Sequence, residues 1–150
     1  MRAVVQRVNS ACVLINGKSV ANIDMGLVVL VGVEQEDTEH DVDWLAKKIS
    51  QLRIFSDERG LMNKALDEMD GDVLIISQFT LHASTKKGNR PSFIKAARPE
   101  HAIPLYELFC DRLSDYCGKP VKTGEFGAMM DINLTNTGPV TIIIDSKVRE

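Results

Sequence analysis

No stretch of this sequence stays apolar for the ~20 residues that a membrane span needs. Arg2 and Arg7 fall in an alternating pattern where a secretory signal would run unbroken, so a cytoplasmic location is expected. Cysteine is scarce and odd in number. Cys12, Cys110 and Cys117 show neither CxxC nor Cys/His spacing, which argues against a disulfide framework and a zinc site. Cys110 and Cys117 fall within a helical pattern and read as packing residues. The surplus of Lys and Arg typical of proteins that coat nucleic acid is also missing. Eighteen basic against 21 acidic residues leave a formal charge of −3, so affinity for a phosphate backbone would have to come from a local patch. The GxSxG elbow, the P-loop and the GxGxxG fingerprint are all absent, and neither a metal nor a cofactor is expected.

What is present is a chain of 150 residues, 44% hydrophobic and 26% charged, which suits one globular domain over residues 1–150 with a sizeable core. Residues 1–15 read as extended. Asn16-Gly17 then supplies the two positive φ angles of a type I′ hairpin, so residues 18–23 should return antiparallel. Leu27 to Val33 is a buried-type strand. Asp37 or Thr38 should cap a helix carrying Val42, Leu45, Ile49 and Leu52 at helical spacing, with Trp44 among them. Short strands are expected at Arg53 to Phe55 and Leu61 to Asn63. A second helix follows Pro99, with Pro104 in its first turn or before a later start, and runs to Gly118. Val121 to Thr123, Met129 to Leu134 and Val140 to Asp145 are extended again. Two helices among many strands define a mixed α/β fold with largely antiparallel sheets and both main helices packed on one side.

Two stretches are unusual. Val73 to Ile76 is a continuous apolar run suited to burial on both faces, and it ends abruptly in Ser77-Gln78-Phe79-Thr80. Strand ends of this kind often carry ligand sites, yet such a cluster also closes an ordinary turn. Asn136-Thr137-Gly138-Pro139-Val140-Thr141 joins the last two extended segments, either as a plain hairpin turn or as a device that fixes carbonyls in one direction. Of the three histidines, His40 and His101 read as solvated surface. His82 alone lies beside the strand-end cluster and is the one histidine to test as a base. Ser77 and Thr80 are conceivable nucleophiles, but no activating partner stands at local spacing. Lys86, Lys87 and Arg90, with Lys95 and Arg98 close behind, form a local basic patch; it is either a phosphate contact or a solvated loop.

Taken together, Ser77-Gln78-Phe79-Thr80-Leu81 and Asn136-x-Gly138-Pro139-x-Thr141 resemble the D-aminoacyl-tRNA deacylases, also called D-tyrosyl-tRNA deacylases. The likeness extends to Gln6-Arg7-Val8, Gly26-Leu27, Val31-Gly32-Val33, Arg53-Ile54-Phe55-Ser56-Asp57, Arg90-Pro91-Ser92-Phe93 and Thr123-Gly124-x-Phe126.

The resemblance implies a homodimeric enzyme that hydrolyses the ester between a D-amino acid and the terminal adenosine of tRNA. Glycine mischarged on tRNA(Ala) is implied as a further substrate. It also implies that Gly138-Pro139 is a cis peptide reaching into the partner subunit's active site. Ser77, Gln78, Phe79 and Thr80 would form the catalytic pocket floor, with Gln78 and Phe79 on the adenosine and the ester. Arg7, Met130, Asn136, Gly138, Pro139 and Thr141 would bind or buttress the substrate side. Such a rigid backbone wall would reject one hand of substrate whatever its side chain. His82 and Met129 depart from the family pattern. Two other readings stand beside this one: an editing enzyme for a misacylated L-aminoacyl-tRNA, which a trans Gly138-Pro139 peptide would favour, and a non-catalytic module that binds the tRNA end.

Overall fold

The computed structural model describes residues 1–150 and is built on one long strand. β1 (Arg2–Ile15) turns at Asn16 and Gly17, both at positive φ, into β2 (Lys18–Ile23). β3 (Gly26–Gly32) then pairs with the other half of the same edge of β1, Arg2 opposite Gly32 and Val8 opposite Gly26. α1 (Glu39–Ser50), a small hairpin of β4 (Phe55–Ser56) and β5 (Met62–Lys64), and β6 (Asp72–Ser77) follow. β6 lies parallel to β3. α2 (Pro99–Cys117) leads to β7 (Lys122–Thr123), parallel to β6, and β8 (Asp131–Asp145) closes the order along the free edge of β1.

Both crossovers between parallel strands run through a helix, and both helices cover the same face of the sheet. Their apolar stripes, Val42, Leu45 and Ile49 from α1 with Leu105, Phe109 and Leu113 from α2, pack on Ala3, Val5, Val29, Val31, Val73 and Ile75. Alternate residues of the same strands, among them Val28, Leu74 and Ile76, point to the opposite face. There they meet Val8, Val13, Ile23 and the start of β8, where the sheet curls on itself like part of a barrel. β3 and β6 are thus buried on both sides, which is why they are continuous apolar runs and not alternating ones.

At the helix side the Met1 ammonium is fully buried, 2.5 Å from Asp37 Oδ1 and 2.7 Å from Ser146 Oγ. The Ser146 hydroxyl in turn donates to Asp41 Oδ1 at 2.7 Å. Asp41 also accepts from the backbone N–H and hydroxyl of Thr38, the residue that caps α1. His101 belongs to this cluster: its Nε2 donates to the Asp37 carbonyl at 3.0 Å. It is half-buried and not the solvated residue its place near a helix start suggests, whereas His40 is exposed.

Three further elements differ from the sequence expectation. α2 starts at Pro99 and continues through Pro104. Pro104 and Glu100 are both exposed, so water can satisfy the carbonyl that loses its amide partner. Residues 79–82 form a 3-10 turn, where a loop is expected to begin at His82. The final two extended segments are one strand, β8, because both flanks of Gly138-Pro139 pair with β1 in the same direction. No helix is long and apolar enough to cross a membrane.

Candidate active site

The sequence-predicted residues separate into two groups. Ser77, Gln78, Phe79 and Met130 line a cleft of about 760 Å³ at the carboxyl end of β6, roofed by residues 93–99 and closed by Ala102 and Tyr106 of α2. Arg7, Asn136, Gly138, Pro139 and Thr141 do not reach it; they gather on the β1–β8 seam.

The cleft opens where β6 ends at Ser77, one residue short of the end of β3. Ser77 is the last residue paired with β3, opposite Val31, and the Gln78 N–H gives one more bond to the Val31 carbonyl at 2.8 Å. The chain then tightens into the 3-10 turn, with the Leu81 N–H donating to Gln78 O. The N–H groups of Phe79 and Thr80, at the start of that turn, donate to no protein acceptor and are free for a ligand. The Gln78 amide donates to Thr80 Oγ1 at 2.5 Å, which orients the carboxamide and occupies the hydroxyl. Thr80 itself is exposed at the rim.

Behind the turn two contacts fix its height. The Arg2 guanidinium donates to the Leu81 carbonyl at 2.8 Å while its other edge pairs with Asp145. His82 is buried, with its ring lying over Gly32; a Cβ at residue 32 would fall 2.8 Å from Gln78 O and 3.0 Å from His82 Cδ2. His82 Nε2 has no hydrogen-bond partner and the ring is walled off behind the turn, so its contribution to the site is packing.

The mouth is aromatic. Phe79, 56% exposed, meets Phe93 edge to face with centroids 5.1 Å apart, which leaves the exposed Phe79 ring as an apolar surface at the mouth. Inside, Tyr106 packs against Phe126, and burial drives its phenol pKa upward, so it stays protonated. Burial also raises the thiols of Cys110 to about 12 and Cys117 to about 11, which leaves both as protonated packing groups. Sequence reasoning did not select Phe93, Tyr106 and Phe126 as site residues, and it named Arg98 only within the basic patch. Their lining position depends on how α2 and the segment before it fold over β6, although Phe93 and Phe126 do belong to the family-like motifs.

On the seam, Gln6 stands opposite Thr141 and Val8 opposite Asn136, so two steps along β1 face five along β8 and the surplus residues bulge outward. The Asn136 side chain staples the base of the bulge: Oδ1 accepts from Val140 N and Nδ2 donates to Thr141 Oγ1, each at 2.9 Å. Arg7 braces it from beneath, donating from Nε to the Thr137 carbonyl at 3.1 Å and from Nη1 to the Ile54 carbonyl at 2.6 Å. Gly138 has φ +128, and the Gly138–Pro139 peptide is cis. Both residues are exposed at the tip.

A model of the D-Tyr-tRNA(Tyr) deacylase family matches residues 4–145. The chain belongs to this family. Proteins named D-aminoacyl-tRNA deacylase are 61% identical in Bacteroides fragilis and 57% identical in Parabacteroides distasonis, each over 150 residues and all of both chains. Membership makes the chain a hydrolase. Among solved structures, the c-Myc DNA unwinding element binding protein superposes with a TM-score of 0.91 at 39% identity, covering 97% of this chain and 98% of that one. A probable eukaryotic D-amino acid tRNA deacylase superposes with a TM-score of 0.81 at 18% identity, covering 95% and 97%, and so shares the fold. In this family member the strand-end cleft and the braced bulge are the two features that the paired motifs build.

Proposed function

We propose that the chain hydrolyses the ester of D-aminoacyl-tRNA in the cytoplasm, releasing the free D-amino acid and tRNA, as a homodimer whose active sites are completed across the interface. The carrying observation is the split itself. One motif forms a cleft, the other an exposed, braced bulge on a different part of the same chain. Two copies related by a two-fold axis let each bulge enter the other's cleft. The outer edge of β8 is unpaired along its length, and an edge of this kind invites association.

In this reading the terminal adenine stacks on Phe79 with Phe93 at its side, and Gln78 holds the ribose or the ester. The free N–H groups of Phe79 and Thr80 receive the carbonyl oxygen as it gains charge, in the manner of an oxyanion hole. Water is the nucleophile. The Thr80 hydroxyl is engaged by Gln78 and faces no base, and the buried thiols are protonated. The ribose 2′-hydroxyl beside the ester supplies a further polar group that the protein lacks. The partner's bulge presents backbone carbonyls to the substrate ammonium and leaves room at one α-position for hydrogen alone, so an L side chain is excluded on steric grounds whatever its chemistry. Glycine has no side chain to exclude, so glycine mischarged on tRNA(Ala) is also a substrate.

The test is hydrolysis of D-Tyr-tRNA beside L-Tyr-tRNA. Rapid release from the D form with the L form intact is expected. Equal rates, or saturable binding without turnover, would overturn the proposal, and a sedimentation experiment that finds only monomer would remove the shared site.

A further inference from the structure

From Val73 to Pro99 the chain carries no acidic residue, yet it holds Lys86, Lys87, Arg90, Lys95 and Arg98. The protein as a whole is acidic, so this is a segregated patch and not a sample of the general surface. All five side chains are exposed. None lies within ion-pair distance of a carboxylate. Exposed cations without internal partners are available to an external anion.

Their positions are fixed by the backbone. Ser84 and Ser92 exchange both backbone hydrogen bonds, at 2.8 and 2.9 Å, and so close the loop that presents Lys86, Lys87 and Arg90. The following segment is tied to the end of β3: Gln35 N donates to Lys95 O and Ala97 N to Val33 O. Phe93 and Arg98 line the cleft, so the segment that carries the cations borders it. A polynucleotide whose last base stacks on Phe79 at this rim has its preceding phosphates within reach of the same segment.

We propose that the surface from Lys86 to Arg98 grips the backbone phosphates of the tRNA acceptor end next to the terminal adenosine. This rests on the deacylase reading and adds to it how the tRNA beyond its last nucleotide is held. Phosphate contacts carry no sequence information, so one such surface serves tRNAs of different sequence equally. They also make binding salt-dependent, with a slope of about −0.7 per contact on single strands and about −0.9 on duplex.

The experiment compares the wild type with Lys86→Gln/Lys87→Gln/Arg90→Gln on two substrates, D-Tyr-tRNA and the minimal ester D-tyrosyl-adenosine, between about 50 and 200 mM salt. For the variant, KM on tRNA rises about tenfold at the low-salt end, and the slope of log KM against log salt flattens by roughly 2. Its kcat on saturating tRNA and its rate on the minimal ester stay unchanged. An unchanged KM and slope would overturn the proposal, as would an equal loss on both substrates. If the triple variant melts early, Lys87→Glu alone carries the same expectation in the same direction. A wild type that leaves D-Tyr-tRNA intact would sink the deacylase reading separately. Fluorescence anisotropy with uncharged tRNA would then still decide the patch, equal affinities for wild type and variant counting against it.

Discussion

Arg7 and Gly138 occupy one space: a Cβ on Gly138 would lie 2.8 Å from Arg7 Nη2, and the same guanidinium holds the neighbouring Thr137 carbonyl through Nε. The side chain both supports the bulge and sets how close its backbone can come to β1. The Arg7→Met variant loses two charge-assisted hydrogen bonds to half-buried carbonyls. A cost of roughly 3 kcal/mol is expected, read as a fall of about 6–12 °C in Tm. With its brace gone the bulge is no longer a fixed wall, so the ratio of D- to L-Tyr-tRNA hydrolysis falls in a paired kinetic assay. An unchanged ratio would show that Arg7 has no part in discrimination.

Gly32→Ala puts a Cβ 2.8 Å from the Gln78 carbonyl and 3.0 Å from the His82 ring, so the strand-end turn has to shift. Overpacking of this kind costs about 1–3 kcal/mol. kcat/KM should fall even well below Tm, because Gln78 and the free N–H groups move with the turn. His82→Ala removes one of the two obstructions. The double variant should therefore be more stable than the sum of the singles predicts, a coupling that a double-mutant cycle by denaturant melts would reveal. Strict additivity would mean that the ring and the glycine do not share the space.

Thr80→Ala removes the acceptor of the Gln78 amide and no nucleophile. Losing one neutral hydrogen bond is worth about 0.5–1.5 kcal/mol, or about 2–10-fold in rate. Activity within that range is expected in single-turnover measurements. An acyl group trapped on Thr80 of the wild type would overturn the water mechanism.

Acid sensitivity should centre on Asp41. Burial by itself raises its pKa, but the hydrogen bonds from Ser146 and from the backbone and hydroxyl of Thr38 outweigh it, with help from the Met1 ammonium, and hold it far below the ordinary carboxylate value. A group depressed on folding contributes stability that is present above its unfolded pKa of about 3.9 and is lost as pH falls through and below that value. Stability of the wild type should therefore drop steeply below about pH 4. Asp41→Asn should melt lower at pH 7 and lose part of that acid limb in chemical denaturation; a limb of unchanged depth would assign it to other carboxylates.

Much of the architecture was legible in local pattern because local chemistry decides it. Asn16-Gly17 can hardly form anything but the tight turn found there, Thr38 caps the helix that its spacing announces, and the uninterrupted run from Val73 to Ile76 is a strand covered on both faces. The paired motifs, Ser77 to Leu81 and Asn136 to Thr141, point to the family by themselves. The tertiary structure alone decided that Gly138-Pro139 interrupts one strand and does not join two, because that depends on both flanks finding the same edge of β1. It placed Phe93, Arg98 and Tyr106 at the cleft through the packing of α2, and it drew His101 into the Met1–Asp37 cluster. It also showed that the two motifs stand apart within one chain. Sequence fixes which residues prefer a turn or a strand, because those preferences act over a few bonds; which of them share a site is set by long-range pairing, whose energy appears only when the sheet closes.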